Sequence, residues 1–187
     1  MRVIIFYKPY GVLTSLQDRE GRPALEEYIN IPEVYPAGRL DMDSEGLLLL
    51  TDDGRLSHRL TSPAHKTAKT YWVQVEGLID DEAISNLQQG VLVKGIKTRR
   101  CQVMRIPEPD LPQREKPVIL HRPSSWIRIV LIEGRKRQIR HMTAAVGFPT
   151  LRLIRVAIGP ITIQDLQPGQ WRELNGEEIQ RLQRALG

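Results

Sequence analysis

The residues between Ala37 and Gly54 combine an acidic loop with an apolar segment, a pattern that can hold a carboxylate ready for chemistry. Asp41 follows an Arg-Leu pair, and Leu47 to Leu50 form an uninterrupted apolar run. Such a run, bounded by turn residues, is typical of a strand covered on both faces. The strand would fix the preceding loop, so we expect Asp41 to lie on a rigid support close to Arg39. A carboxylate beside a cation stays ionised and can act as a nucleophile.

The same carboxylate also has a simpler interpretation. An Asp that precedes a polar loop residue usually forms an Asx turn or caps a helix. On local chemistry alone, a turn is therefore the more common role for Asp41. Three further segments bear on the choice.

The first segment is Tyr7-Lys8-Pro9-Tyr10-Gly11, which ends an apolar stretch that begins at Val3. Val3 to Tyr7 has the composition of a short strand, and the proline and glycine that follow would stop it. A strand end followed by a turn is the simplest interpretation of this segment.

The second segment runs from Lys69 to Gly77 and alternates between apolar and polar residues. Tyr71, Val73 and Val75 fall on one face of the predicted strand, and polar residues fall on the other. A tyrosine at such a position is by default a core residue with its hydroxyl at the edge. The pattern alone leaves open whether Tyr71 packs, contacts a ligand or does both.

The third segment follows Glu133 and predicts a helix from about 135 to 146. Three apolar residues share one face of this helix: Ile139, Met142 and Val146. Three basic residues share the opposite face: Arg137, Arg140 and His141. One side would therefore pack while the other offers positive charge, although a basic helix face is most often just solvated.

The net charge of +5 is unevenly distributed along the 187 residues. Residues 1–62 hold 7 Lys and Arg against 10 Asp and Glu, whereas residues 63–187 hold 20 against 12. The later part of the chain therefore favours a polyanionic partner, bound in a salt-sensitive manner.

Composition limits the remaining possibilities. The length suits one substantial core or two small lobes. A single cysteine, Cys101, and four histidines without ligand spacing predict neither a disulfide nor a metal site. The N-terminus lacks the pattern of a signal peptide and no apolar stretch reaches membrane-spanning length, so we expect a cytoplasmic protein with no membrane contact. A monomer is the default, because no helix carries a sustained heptad seam.

The coarse pattern predicts an α+β protein, because strands and short helices do not alternate regularly. Strands are expected near 2–7, 46–52, 69–77, 101–106, 125–132 and 152–163, the last broken at Gly159-Pro160, and helices near 23–30, 54–61, 80–89, 135–146 and 176–186. Asp80 is a candidate N-cap and Gly90 a candidate C′ residue for the third helix. The proline-rich residues 107–123 indicate a long exposed connection.

Four segments together resemble the motifs of the pseudouridine synthases, specifically the RsuA type that modifies ribosomal RNA. They are residues 37–54, residues 7–15, Lys69-Thr70-Tyr71, and residues 133–142. Tyr7 departs from the family pattern, which usually has Asn there. The resemblance extends from Tyr7 to about Gly169 and implies a mixed, largely antiparallel central sheet in two lobes, with an active-site cleft between them.

The resemblance also implies roles for individual residues. Asp41 would be the nucleophile, Tyr71 would stack on the target base, and Arg140 would pair with the catalytic carboxylate. The candidate RNA-binding residues are Arg39, Lys69, Arg135, Lys136 and Arg137. The reaction isomerises a flipped-out uridine to pseudouridine, and it needs no cofactor because no redox step occurs.

Many RsuA-type enzymes carry an N-terminal RNA-binding domain of S4 type, whereas this chain begins almost directly at the first motif. We therefore expect residues 1–187 to form a single catalytic domain without an S4 domain, acting on 23S ribosomal RNA. A non-catalytic RNA-binding assembly factor would explain the charge equally well, but it has no need for a carboxylate facing a polyanion. A carboxylate-based hydrolase would need a second catalytic carboxylate, and the sequence offers no convincing one.

Overall fold

The computed structural model describes all residues from Met1 to Gly187 and contains eleven strands and four α-helices. The strands are β1 Val3–Lys8, β2 Tyr35–Pro36, β3 Glu45–Thr51, β4 Lys69–Glu76, β5 Leu92–Val93, β6 Ile96–Lys97, β7 Gln102–Ile106, β8 Ser124–Leu131, β9 Thr150–Ile158, β10 Ile161–Thr162 and β11 Trp171–Glu173. The helices are α1 Gly54–Thr61, α2 Asp81–Gln89, α3 Gln138–Ala145 and α4 Gly176–Leu186, with 3-10 turns at Leu25–Glu27 and Pro63–His65. No helix combines the length and the apolar character needed to cross a membrane.

The chain divides into two compact units. Unit 1 contains Met1–Thr67 and Arg155–Gly187, and unit 2 contains Ala68–Ile154. The α+β class, the antiparallel strand pairing and the division into two lobes are confirmed. A cleft between the lobes stays a prediction.

In unit 1, β1 pairs with β3 on one side and with β11 on the other, both antiparallel. The four leucines of β3 are fully buried, as predicted for a strand covered on both faces. Leu47 and Leu49 belong to one core cluster, whereas Leu48 and Leu50 belong to another. The alternation of side chains along β3 thus joins two cores through one strand.

Helices α1 and α4 cover the first of these faces through Leu56, Leu60, Leu182 and Leu186. Each helix begins at a residue that caps it. Asp53 Oδ1 accepts hydrogen bonds from the backbone N–H groups of Arg55 and Leu56, at 2.8 and 3.1 Å. Such caps satisfy donors that a helix cannot satisfy itself, and they set where it starts.

The start of α4 gives a prediction about acid stability. Glu178 and Asn175 form a reciprocal capping box, and the guanidinium of Arg172 donates to both carboxylate oxygens of Glu178 at 2.8 and 2.9 Å. These contacts, led by the hydrogen bonds from Arg172, lower the pKa of Glu178 from 4.5 to about 2. The contribution of the Glu178 carboxylate to the free energy of unfolding is therefore complete above pH 4.5 and is lost as the pH falls towards 2.

We expect Glu178→Gln to lose less free energy of unfolding than the wild type between pH 4.5 and 2, as measured by urea unfolding at each pH. Glu177→Gln is the matched control, because it removes one exposed carboxylate from the same helix turn. Parallel pH curves for Glu178→Gln and the wild type would contradict the role of this contact.

In unit 2, β8 lies between β4 and β7 and pairs antiparallel with each of them. Val73, Ile127 and Ile129 are fully buried at the centre of the core. Helices α2 and α3 complete this core, α2 with Ala83 and Leu87 and α3 with Ile139 and Met142. Asp80 caps α2 as predicted, accepting from Ala83 N at 2.8 Å, and Gly90 ends it with φ 93°.

The helix predicted near 23–30 is wrong. Only Leu25–Glu27 forms a 3-10 turn, in which Tyr28 N donates to Leu25 O at 3.0 Å. The carbonyl of Pro23, which a helix from residue 23 would pair with Glu27 N, accepts instead from Leu13 N at 2.9 Å. Glu27 N donates to Ala24 O at 3.3 Å, which gives the tighter 3-10 pattern in place of an α-helical turn.

The helix predicted from 135 begins only at Gln138, because Arg137 has a left-handed backbone with φ 56°. Arg137 therefore precedes the helix and does not share a helical face with Arg140, as the periodicity had predicted. The predicted break of the 152–163 strand at Gly159-Pro160 is confirmed, because β9 ends at Ile158 and β10 begins at Ile161. Residues 107–123 contain no helix or strand, as expected, and Arg152 Nη2 donates to Pro112 O at 3.0 Å.

Candidate active site

Asp41 lies in unit 1, in the short loop between β2 and β3. The loop closes as a turn in which Ser44 N donates to Asp41 O at 3.0 Å. Asp41 is half-buried, Ser44 and Glu45 are buried, and Met42 is exposed. The backbone of Asp41 therefore forms a turn, and the catalytic interpretation of its carboxylate stays a prediction.

Lys8, at the end of β1, contacts this loop. Its side chain has no solvent exposure, and its Nζ donates to the carbonyls of Pro9 and Val12 at 2.9 and 2.6 Å. A longer bond of 3.4 Å reaches Met42 O, which also accepts from Gly11 N at 2.8 Å. The N-terminal motif and the Asp41 loop are thus joined through the carbonyl of Met42.

The buried ammonium of Lys8 is also an electrostatic partner for the acidic loop. Burial lowers its pKa from 10.5 to about 7, and Arg155 acts in the same direction. The carboxylates of Glu45, Asp43 and Asp41 act in the opposite direction and favour the charged amine.

Arg155 of β9 supports the residues that flank Asp41. The side chain is 3% exposed, and its Nε donates to Leu47 O at 2.8 Å. Its Nη1 donates to Arg39 O at 3.4 Å, and its Nη2 is buried without a hydrogen-bond partner. One guanidinium therefore bridges the chain before Asp41 to the start of the strand after it.

Thr14 holds the residue between Arg39 and Asp41. Its Oγ1 donates to Leu40 O at 2.6 Å, and Leu40 N donates back to it at 3.1 Å. Together with Lys8 and Arg155, this contact restrains the backbone of the loop on both sides of the carboxylate. Restraint of this kind is what a nucleophile or a general base needs.

The sequence analysis missed Lys8 and Arg155 as supports of the site. Lys8 was interpreted only as part of a strand end, and Arg155 only as part of the positive charge of residues 63–187. A signal was present, because Arg155 interrupts the apolar run Leu153 to Ile158 and charged residues inside such strands are rarely buried without a purpose.

Tyr71 and Lys69 lie in unit 2, on β4. Tyr71 is half-buried and packs against the core that contains Val73 and Val75, which confirms the predicted half-buried strand. Its neighbour on β8 is Ile129. Tyr71 is therefore a packed residue on a rigid strand, which is compatible with a further contact at its exposed part.

The basic segment of unit 2 is a loop followed by a helix. Arg135 and Lys136 are exposed, whereas Arg137 and Arg140 are half-buried. Unit 2 holds 15 Lys and Arg against 8 Asp and Glu, and unit 1 holds 12 against 14. The positive charge that the sequence placed after residue 62 thus belongs almost entirely to unit 2.

The predicted site residues are accordingly distributed over both units. Unit 1 brings together Arg39 and Asp41, whose loop rests on Lys8 and Arg155. Unit 2 contains the remaining candidates: Lys69, Tyr71, Arg135, Lys136, Arg137 and Arg140. Unit 1 therefore contains the restrained carboxylate, and unit 2 contains the aromatic side chain and most of the positive charge.

Comparisons with known proteins identify the family of the chain. Residues 2–145, a range that includes Asp41, Tyr71 and Arg140, match the family model of RNA pseudouridylate synthases. The ribosomal large subunit pseudouridine synthase E of Vibrio vulnificus is 50% identical over 176 residues, which cover 93% of this chain and 75% of that protein. The protein of the same name from Xanthomonas campestris is 53% identical over 175 residues, covering 91% of this chain and 94% of that protein. A crystal structure of a pseudouridylate synthase matches with a TM-score of 0.80 at 29% identity, covering 97% of this chain and 73% of that one. The chain therefore belongs to the RNA pseudouridylate synthase family, whose members are isomerases that convert uridine to pseudouridine.

Proposed function

We propose that this protein converts a uridine of large-subunit ribosomal RNA to pseudouridine, with Asp41 as the catalytic carboxylate. The observation that carries the proposal is the restraint of the Asp41 loop by Lys8, Thr14 and Arg155. The names of the relatives from Vibrio and Xanthomonas support the substrate class. A substrate in ribosomal RNA would place the enzyme in the cytoplasm, and a monomer remains the expected state.

The proposed reaction begins when the target uridine leaves the base stack, at a cost of a few kcal/mol that stacking and basic contacts offset. Tyr71 stacks on the flipped base. With the help of Asp41, the bond between N1 and C1′ breaks, the uracil turns, and C5 forms a bond with C1′. The proton on C5 then leaves and N1 gains a proton, so the product has the same atoms as the substrate.

Two routes are compatible with the same carboxylate. Asp41 either attacks C1′ directly or assists a glycal route, in which Tyr71 helps to move a C2′ proton. Both routes require an ionised and positioned Asp41. Neither route includes a redox step.

The other candidate residues serve RNA binding and charge balance in this proposal. Arg140 is the cation that keeps Asp41 ionised, as the family resemblance implies. Arg39, which is exposed, occupies the space that the flipped base leaves. Lys69, Arg135, Lys136 and Arg137 contact phosphate groups, which would make binding salt-sensitive.

The test is release of tritium from RNA labelled at uridine C5, with a 23S transcript as substrate and a 16S transcript as control. Release from the 23S transcript alone would support the proposal. Salt-sensitive binding without release, from naked transcript and from pre-ribosomal particles alike, would instead favour an assembly factor.

The buried guanidinium of Arg155 gives a prediction about turnover. Arg155→Met keeps an unbranched apolar side chain but removes the guanidinium that donates to Leu47 O and Arg39 O. We expect kcat to fall by about 10- to 100-fold, because small displacements of a reacting group have effects of that size. We expect KM for RNA to change by less than about threefold, because Arg155 is buried and its contacts position the loop rather than the RNA.

Arg155→Lys should restore part of kcat, because an ammonium can replace one of the two hydrogen bonds. Arg181→Met, which alters an exposed arginine on α4, serves as the control for loss of charge. An unchanged kcat in Arg155→Met would show that this side chain does not position the loop.

A further inference from the structure

The ribbon formed by β5 and β6 is a feature of unit 2 that the proposed reaction does not use. The two strands pair antiparallel, with Leu92 opposite Lys97 and Val93 opposite Ile96. Lys94 and Gly95 form the turn between them, with φ angles of 51° and 78°. A two-residue turn with both φ angles positive has the geometry of type I′, which suits the twist of a hairpin.

Lys94 is an unusual residue for this turn. Positive φ costs an ordinary residue about 1 kcal/mol, and hairpins of this type prefer Asn or Asp followed by Gly. Lys94 is exposed and contributes nothing to the core that would offset this cost. A residue that is unfavourable locally and exposed at a tip indicates a function for its side chain.

The ribbon is firmly attached at its base. Thr98 is buried, its N–H donates to Val91 O at 2.9 Å, and its Oγ1 accepts from Val91 N at 3.0 Å. A side chain at Gly90 would meet Thr98 O at 2.3 Å, so only glycine fits there. Leu92 and Ile96 belong to opposite faces of the ribbon and are 68% and 60% exposed. Val93, which lies opposite Ile96, is buried in the core of unit 2. The ribbon is therefore anchored at its base and through Val93, while Leu92, Ile96 and the turn are exposed to solvent.

Positive charge dominates this ribbon. Its exposed cations are Lys94, Lys97, Arg99 and Arg100, and residues 90–100 contain no Asp or Glu. Lys97 and Arg99 also lie next to the basic loop before α3. Arg135 Nη2 donates to Lys97 O at 3.3 Å, and Arg99 N donates to Glu133 Oε1 at 2.8 Å.

Glu133 joins the ribbon to that loop and is the acidic residue among these cations. Its side chain is 11% exposed, and it lies 3.6 Å from the guanidinium of Arg135. It also accepts from the buried Gln138 at 2.6 Å. These contacts pair the carboxylate of Glu133 with groups of the protein itself. The exposed charges of the ribbon and of the loop before α3 are all positive.

We propose that the ribbon surface, defined as Lys94, Lys97, Arg99 and Arg100 together with Arg135 and Lys136, binds the phosphodiester backbone of the RNA substrate outside the target nucleotide. The proposal rests on the proposed function for the identity of the RNA. The partner is argued from charge complementarity, because six exposed cations around an internally neutralised carboxylate match a polyanion. The ribbon thereby extends RNA contact beyond the residues that the family motifs supply.

The test is a double variant, Lys94→Asn with Lys97→Gln. Asn is well suited to the first turn position, so the hairpin is expected to keep its fold while losing two charges. Arg181→Gln with Arg184→Gln is the matched control, because it removes two exposed charges from α4 of unit 1. Binding of a 23S transcript is measured between 50 and 200 mM salt, and tritium release is measured in parallel.

We expect the ribbon variant to reduce the slope of log K against log salt by about 2, at about one per lost phosphate contact, and the control to leave it unchanged. KM for the transcript should rise by about tenfold while kcat stays constant. A salt slope equal to that of the wild type would overturn the inference. A reduced salt slope in the ribbon variant, together with no tritium release by the wild type, would instead retain the ribbon surface and overturn the proposed reaction.

Discussion

Replacement of Asp41 by Asn is expected to lower tritium release from 23S transcript by at least about 10³-fold, while RNA affinity stays within about threefold. The amide has the shape of the carboxylate but cannot act as a nucleophile at C1′ or as a base. The backbone bond from Ser44 N to Asp41 O is retained, so the loop should keep its conformation. Loss of a negative charge should not weaken binding to a polyanion.

Asp43→Asn is the matched control, because it removes a carboxylate from the same loop two residues later. This variant should retain most of the turnover. Filter binding with the same transcript separates affinity from chemistry in both variants. Substantial turnover by Asp41→Asn would remove Asp41 from the catalytic role, and equal losses in both variants would indicate an effect of loop charge rather than of one carboxylate.

Replacement of Lys8 by Met is expected to lower the free energy of unfolding at pH 7 by about 3 kcal/mol, which is typical when one partner of a buried charged cluster is removed. The carbonyls of Pro9, Val12 and Met42 lose their donor. The buried carboxylate of Glu45 loses a neighbouring cation. Because the loop is then less restrained, kcat should fall by about tenfold or more.

The pH dependence of this difference is a second readout. The pKa of Lys8 is about 7 in the folded protein and near 10.5 when the side chain is solvated. Between these values the unfolded chain binds more protons, so the free energy of unfolding contributed by Lys8 rises with pH, by up to about 1.4 kcal/mol per unit. The wild type should therefore gain stability relative to Lys8→Met from pH 7 to 10.

Lys116→Met, in the exposed connection of unit 2, is the control for loss of a lysine. Its stability should follow that of the wild type at every pH. A constant difference between wild type and Lys8→Met across this range would mean that Lys8 keeps an ordinary pKa in the folded protein. Unfolding by urea, followed by circular dichroism, measures all three proteins under the same conditions.

Local sequence patterns predicted a helix or strand correctly where the residues that fix its bounds lie within a few positions of it. Helices α1 and α4 have the predicted bounds, because Asp53 and Asn175 cap them from the adjacent position. The four leucines of β3 are buried on both faces, as their unbroken run predicted. The helix predicted near 23–30 failed because the carbonyl of Pro23 accepts from Leu13 N rather than from Glu27 N, a contact that no local pattern records.

The supports of the candidate site could not be predicted in the same way. Arg155 is 108 residues from Leu47 and 116 from Arg39, and Lys8 is 34 residues from Met42. Spacings of this length follow no helical or strand period, and the contacts exist only because β1, β3 and the part of β9 from Arg155 onward belong to unit 1. Backbone carbonyls accept these bonds, so the types of the residues that are contacted carry no signal.

The sequence by itself determined the candidate nucleophile, the family motifs and the excess of positive charge, because each depends on residue type and short spacing. Only the tertiary structure decided what holds Asp41 and which cations share one surface. Strands of two residues, such as β5 and β6, are too short to show alternation, and Lys94 is an unusual residue for their turn. The cations at 94–100 and those at 135–136 are far apart in sequence. They share one surface because Glu133 contacts both Arg99 and Arg135 in the folded protein.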